Sequence, residues 1–404
     1  MSETDDGQPL VVFGDRSLAY DFGPDHPLTP LRFGPGIDLL RELGAIQFIE
    51  PEPAADAALT RLHDPAYVAA VRTVSRDPGP APEYGISPWG DNPAFAGMHE
   101  AAAAVAGGSL NAMARILDGT ATRAFHPGGG LHHAMRARAS GFCVYNDVAL
   151  AIALARDAGH RVLYVDIDVH HGDGVQALFW DDAEVLTVSI HETGDALFPG
   201  TGSLDETGGS GAPGRAVNVP LEPGTGDASW LATVRAVVPA LADAFRPTIL
   251  VSQQGCDTHA WDPLAHLRVT TAAHAEAARL IADVSATYAG GRWFATGGGG
   301  YDAFRVVPRT WAIIWLTLAG RPIPDEVPAA WRARWEEAAR RNGVDLLPER
   351  FADDPSVAAT ERAETAERNA RTAERALRAA LDLPDDGGRH SDRDRPGRGG
   401  RPAR

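Results

Sequence analysis

The stretch that most constrains this chain is RVLYVDIDVHHGD, from Arg161 to Asp173. It starts as an apolar run of β-branched and aromatic residues, the pattern of a strand buried on both faces. It then carries five ionisable groups in eight residues: Asp166, Asp168, His170, His171 and Asp173. Desolvating unpaired carboxylates is costly, so a core strand does not acquire such charges for stability. Asp168 and His170 stand two apart, and in extended chain both project to one side. A carboxylate oxygen and an imidazole nitrogen converging there make half of a divalent-metal site. Gly172 and Gly174 suit a tight turn off the strand end, where α/β sheets carry their active sites. A salt-bridged strand end with one buried histidine is the plainer reading and fits this density of charge less well.

A metal held by Asp168 and His170 needs a further ligand. The apolar run in ILVSQQGCDTHAWDP ends just before Asp257, which supplies one and leaves positions open for water and substrate. Taken alone, Asp257 reads equally well as a cap or turn residue. In GGGLHHA, His132 and His133 follow three glycines that let backbone turn closely around a ligand. Paired imidazoles beside an activated water serve as general base and electrostatic partner. Each needs a carboxylate to fix its tautomer, and Asp166 and Asp173 are spare for that. In ATGGGGYDAF, Tyr301 is placed to donate a hydrogen bond to a developing oxyanion. No Walker lysine or G-x-G-x-x-G helix follows these glycines, so phosphate binding is not the expectation.

Around these motifs the pattern alternates. Strands are expected at 10–13, 121–125, 161–169, 185–190, 216–220, 248–253 and 292–296. Helices are expected at 30–43, from His63 onward, and at 96–117, 147–158, 173–180, 228–245, 270–289 and 303–318. Asp64 and Pro65 supply a cap and first turn for the second of these. Such alternation implies a parallel sheet flanked by helices, in one domain over residues 1–345. Residues 346–383 are expected to form a charged C-terminal helix. Its Glu364–Arg368, Glu367–Arg371 and Glu374–Arg378 pairs lie four apart, which supports an exposed helix with too few large apolar residues to pack strongly. The Gly/Pro/Asp/Arg-rich residues 384–404 read as a disordered, solvated tail.

Charge narrows the partners. A net charge of −17 argues against general nucleic-acid binding, which needs positive charge facing phosphates. It suits a cationic substrate or a solvated acidic surface. Every basic side chain apart from histidine is arginine, which removes Schiff-base and lysine-nucleophile chemistry. Cys143 and Cys256 read as reduced thiols of a cytosolic protein. The opening MSETDDGQPL is unlike a signal or transit peptide, and no apolar run approaches a membrane span. A cytoplasmic protein without nucleic-acid or membrane partners is expected.

The segments HPLTPLR, GDNPAF, GGGLHHA, SGFCVYND, YVDIDVHHGDGVQALF, LFPGTG, QQGCDTHAWDPL and GGGGYD occur in order and span most of residues 10–320. As an ordered set they resemble the histone deacetylase superfamily, most closely its bacterial acetoin-utilisation branch. The resemblance implies a single arginase/deacetylase-like α/β domain with a central parallel sheet. It implies Asp168, His170 and Asp257 as zinc ligands, with iron(II) able to occupy the same set. It makes His133 the general base and acid, His132 its neighbour, Asp166 and Asp173 their partners, and Tyr301 the carbonyl-polarising group. Phe142 and Phe198 would wall a narrow tunnel, and Gly141 would offer its carbonyl to the scissile amide. Asp91 would hold substrate backbone at the rim, and Arg32 would lie near an acetate-release channel. A structural potassium ion would sit by Asp166, Asp168 and His170, with Ser189 and Ile190 nearby. His259 and Trp261 would shape the pocket rim.

The implied activity is hydrolysis of acetyl-lysine in proteins, with a metabolic enzyme such as acetyl-CoA synthetase as target. An acetylpolyamine deacetylase acting on small acetylated amines stays open, as does a non-catalytic acyl-lysine-binding module. An arginase-type ureohydrolase would need a second metal site, to which His132, His133 and Tyr301 are unsuited.

Overall fold

The structure is a computed structural model and describes residues 8–358 and 360–381. The expected tail at 384–404 lies outside the described residues. The strands are β1 (Leu10–Val12), β2 (Phe48–Ile49), β3 (Arg123–His126), β4 (Val162–Asp166), β5 (Val185–Glu192), β6 (Ala216–Leu221), β7 (Ile249–Gln253) and β8 (Trp293–Thr296). They form one eight-stranded sheet in the order β2-β1-β3-β8-β7-β4-β5-β6, parallel at every pairing. The helices are α1 (Phe33–Glu42), α2 (Asp56–Leu59), α3 (Pro65–Arg76), α4 (Met98–Leu117), α5 (Asp147–Asp157), α6 (Asp173–Leu178), α7 (Asp227–Phe245), α8 (Thr271–Tyr288), α9 (Val307–Leu318), α10 (Ala329–Arg341) and α11 (Ala363–Leu381).

Alternate side chains of each strand enter opposite cores. Leu163, Val165 and Leu250 join the face covered by α1, α7, α8 and α9. Val162, Tyr164, Ile249 and Val251 join the face covered by α3, α4 and α5. Strands buried on both sides explain why the sequence reads as continuous apolar runs. Asp64 accepts the Ala66 N–H at 2.7 Å, with Pro65 in the first turn of α3.

Strand order places the site. From β4 the chain passes through α6 to β5 on one side, whereas from β7 it passes through α8 to β8 on the other. The two strands are neighbours whose onward connections diverge, and that arrangement opens a crevice at their C-terminal ends.

Several elements differ from the expectation. The strand expected over 161–169 stops at Asp166, because the Asp168 carboxylate turns back to accept the His170 N–H at 3.0 Å. The segment at 30–43 opens with a single 3-10 turn, Pro30–Arg32, before α1 begins. The edge strand β2, the short helix α2 and the helix α10, which buries Trp331 and Ala339, were not expected. α7 is long and apolar enough to cross a membrane, contrary to the reading of the apolar runs. It lies within the domain against α8, α11 and β5, with Trp230, Val234, Val237, Leu241 and Phe245 on its buried face. α11 does pack, on β6 and α7, and it does so through small residues. Ala373 and Ala376 are buried, and Asn369 accepts the Glu222 N–H at 2.9 Å.

The segment between α10 and α11 is pinned by one buried carboxylate. Asp353 pairs with Arg309 Nη2 at 2.7 Å and His259 Nε2 at 2.9 Å, and accepts the Thr271 N–H at 2.8 Å. His259 is therefore buried against Asp353 rather than on the pocket rim. Burial works against ionisation of Asp353, but His259 and Arg309 hold its carboxyl well below the usual carboxylate range. A depressed carboxylate contributes stability above its unfolded value, near pH 4, that is lost as pH falls. Asp353→Ala strands Arg309 and is expected to lower unfolding free energy by about 3–5 kcal/mol. Urea midpoints near pH 7 measure this, and the wild-type advantage should shrink as acid titrates the carboxyl.

Candidate active site

Register aligns the strand ends. Asp166 pairs with Gln253, and Gln253 with Thr296, so the loops leaving β4, β7 and β8 converge. From the first comes Asp168, whose Oδ1 lies 3.1 Å from His170 Nδ1. From the second comes Asp257, whose Oδ2 lies 3.2 Å from the same nitrogen. The three residues are buried and offer ligand atoms all within 4.8 Å of one another. Burial and the neighbouring Asp168 raise Asp257 to about 6. His170 is raised to about 10, because its bonds to Asp168 and Asp257 outweigh burial. Two crowded carboxylates thus draw positive charge to this point, and an O, N, O donor set suits a divalent cation.

Beside this cluster stand two imidazoles. His132 Nδ1 lies 2.8 Å from Asp166 Oδ2, and His133 Nδ1 lies 2.7 Å from Asp173 Oδ1. Their Nε2 atoms face each other at 2.9 Å. Burial opposes charge on both, but Asp166 and Asp168 raise His132 to about 9. Burial and the charge of His132 lower His133 to about 4. Near neutrality His132 carries the shared positive charge and His133 offers a basic nitrogen.

A narrow cavity of about 20 Å³ opens over these groups, walled by Leu28, Gly141, Phe142 and Cys143 with Tyr301 at its side. Burial, Asp257 and Asp168 hold the Tyr301 hydroxyl well above its usual value, so it remains an O–H donor. The Phe198 ring lies 5.0 Å from His133, and the Phe142 ring 5.9 Å from Tyr301. Phe142 sits in the left-handed region at φ 67°, costly for an aromatic residue. The Tyr20 hydroxyl pins it there, donating to the Phe142 carbonyl at 2.7 Å and accepting the Val144 N–H at 3.1 Å.

Residues 26–318 match the family model for the histone deacetylase domain. The chain belongs to the histone deacetylase family. It is 41% identical over 379 residues to the acetoin utilization protein AcuC of Bacillus subtilis (strain 168), covering 92% of this chain and 97% of that one. It is 37% identical to the AcuC of Staphylococcus xylosus, covering 91% and 96%. Among solved structures it is similar to an HDAC homologue complexed with SAHA, at 26% identity and a TM-score of 0.79, covering 92% and 100%. It is also similar to an HDAC homologue from Aquifex aeolicus, at 26% identity and a TM-score of 0.77, covering 92% and 100%.

This deacetylase is an amidohydrolase, and other expected residues fall around the same pocket. Arg32 is buried and donates to the Gly298 carbonyl at 2.8 Å. It borders a second small cavity shared with Tyr20 and His126. Asp91 is exposed and does not line the pocket. It connects through His26, whose Nε2 lies 3.2 Å from the Asp91 carbonyl and whose ring lies 4.5 Å from Phe142. Ser189 stands in register with Asp166, its hydroxyl 2.8 Å from His191 Nδ1. His171 bonds Thr201 and Gln176 beneath the site.

Four supporting residues were not singled out in the sequence. Gln253 Nε2 donates to Asp168 Oδ2 at 2.6 Å, and Asp262 accepts the Tyr301 N–H at 2.9 Å. Asn146 donates to the His132 carbonyl at 3.2 Å, while Asp147 accepts the Leu131 N–H at 2.7 Å. A glutamine ending a buried strand was the available signal for Gln253. Asp147 lies inside the SGFCVYND segment, but nothing local reveals which loop it holds.

Gly255 lies against Asp168, and a Cβ there would overlap the carboxylate that Gln253 and Gly299 orient. Gly255→Ala is expected to weaken divalent-cation affinity by about 10–100-fold, the usual cost of disturbing a ligand's support. Competition titration with a chromogenic chelator reads the change.

Proposed function

We propose that this deacetylase hydrolyses the acetamide of acetyl-lysine side chains in proteins and releases acetate. The observation that carries the reading is the joint placement of the Asp168–His170–Asp257 cluster, the two His–Asp pairs and Tyr301 around one narrow pocket. Asp168, His170 and Asp257 are the proposed zinc ligands. A divalent cation held by them would supply Lewis acidity for polarising an amide carbonyl and acidifying a water.

The remaining chemistry belongs to the chain. His133, neutral and oriented by Asp173, takes the proton from the attacking water at its Nε2. Asp173 balances the charge that then appears on His133, while the positive His132, fixed by Asp166, favours release of that proton. The Tyr301 hydroxyl donates to the oxyanion as the carbonyl becomes tetrahedral. His133 returns the proton to the departing amine. Phe142 and Phe198 exclude water and line the methylene stem, and Gly141 offers its carbonyl to the amide N–H. Arg32, bordering two cavities, is proposed to steer acetate away from the nucleophile's position, and Asp91 to receive substrate backbone. Asp166, Asp168, His170 and Ser189 are the residues proposed to hold a potassium ion, which would offset carboxylate charge. A cytoplasmic metabolic enzyme, such as an acetyl-CoA synthetase, is the proposed target.

Zinc-loaded protein should turn over an acetyl-lysine peptide, lose activity on chelation and regain it with added zinc. Tyr301→Phe should lower kcat by about 10²–10³-fold, the cost of one oxyanion donor, with zinc content unchanged. Stopped assays scored by product mass check both; a variant as fast as wild type would remove Tyr301 from the mechanism.

A further inference from the structure

Among the described residues the most exposed large apolar side chain is a tryptophan. Trp89 is 95% exposed, whereas Trp230, Trp293, Trp311, Trp315 and Trp331 are fully buried. Trp180, Trp261 and Trp335 are half-buried, so Trp89 alone among the tryptophans is fully open to solvent. The indole is not on a wandering loop. Trp89 N–H donates to Ser87 Oγ at 3.3 Å, and Gly90 N–H to the Ser87 carbonyl at 3.1 Å. Ser87 N–H closes the turn onto the Asn92 carbonyl at 3.1 Å, and Asn92 is buried.

The turn is also fastened beside the pocket mouth. His26 links the Asp91 carbonyl, 3.2 Å away, to the Phe142 ring at 4.5 Å. At the base of the same loop, the Tyr84 carbonyl accepts the Ala139 N–H at 2.9 Å, two residues before Gly141. The hydrogen-bonded turn that carries the exposed indole is therefore tied, through the Asp91 carbonyl and His26, to a ring that walls the pocket. Indoles bind well to flat peptide groups and side chains, and rigid exposed aromatic residues lose little entropy on binding.

We propose that Trp89 is a specificity-determining residue, the platform on which the peptide chain flanking the acetyl-lysine rests. The inference rests on the deacetylase reading above and assigns a residue that distinguishes a protein segment from a free acylated amine. A free acylated amine fills the pocket alone and has no flank to lay across the indole.

The test compares an acetyl-lysine peptide having several residues on each side with N-acetylcadaverine, using zinc-loaded wild type, Trp89→Ala and Trp89→Phe. Trp89→Ala should raise the peptide KM roughly ten-fold, as expected for loss of an aromatic anchor. Peptide kcat and the hydrolysis of N-acetylcadaverine should stay within about two-fold, and Trp89→Phe should recover most of the loss. An unchanged peptide KM in Trp89→Ala overturns the proposal, and so does an equal loss on both substrates. Wild type that cleaves N-acetylcadaverine but not the peptide also overturns it, while leaving a deacetylase. Wild type that cleaves neither counts against the deacetylase reading as well as this one.

Discussion

Asp168 and Asp257 bring two carboxylates into the interior within reach of one imidazole nitrogen. Charges so placed repel each other and are poorly solvated, so the arrangement persists only where surrounding structure holds it and a cation offsets it. The supporting bonds are numerous. Gln253 and the Gly299 N–H fix one oxygen of Asp168, the His170 N–H fixes the other, and the Val169 N–H fixes Asp257. Gly299 is required as much for its size, since a Cβ there would overlap Asp257. The site is a strained charge distribution made stable by rigid backbone on three strand ends.

The same field sets the two adjacent histidines apart. His132 and His133 are adjacent in sequence and similarly buried, yet one is pushed toward its charged form and the other away from it. The difference lies in what each faces. His132 sees Asp166 and Asp168, whereas His133 sees Asp173 together with the charge on His132. A pair of titrating groups driven apart in this way separates an electrostatic partner from a proton acceptor.

Distant parts of the chain hold this centre in place. Tyr20, near the N-terminal strand, fixes Phe142 in its unusual conformation. Asp262 holds the Tyr301 backbone. Asp353, far along the chain, joins α8 and α9 through Thr271 and Arg309 and also secures His259, two residues beyond Asp257. The segment around Asp353 is therefore tied to the loop that carries a proposed metal ligand, although it does not enter the pocket.

The chemistry was legible because it is local. A buried strand ending in D-x-D-x-H-H-G-D, an aspartate after a second apolar run, paired histidines and a tyrosine after glycines each carry meaning within a few residues. The alternation that announced a parallel sheet is likewise a short-range pattern. The supporting residues were not legible, because Gln253, Asp147, Asp353 and Tyr20 act on partners distant in sequence. α11 misled for a related reason: its pairs of charges describe its exposed face, while its packing relies on alanines whose contribution depends on how closely β6 and α7 approach. Sequence by itself determined which side chains are candidates for the chemistry and that parallel strands would present them. Only the tertiary structure decided that β4 and β7 are neighbours whose connections part in opposite directions, and that crevice is what turns separate motifs into one charged, water-poor pocket.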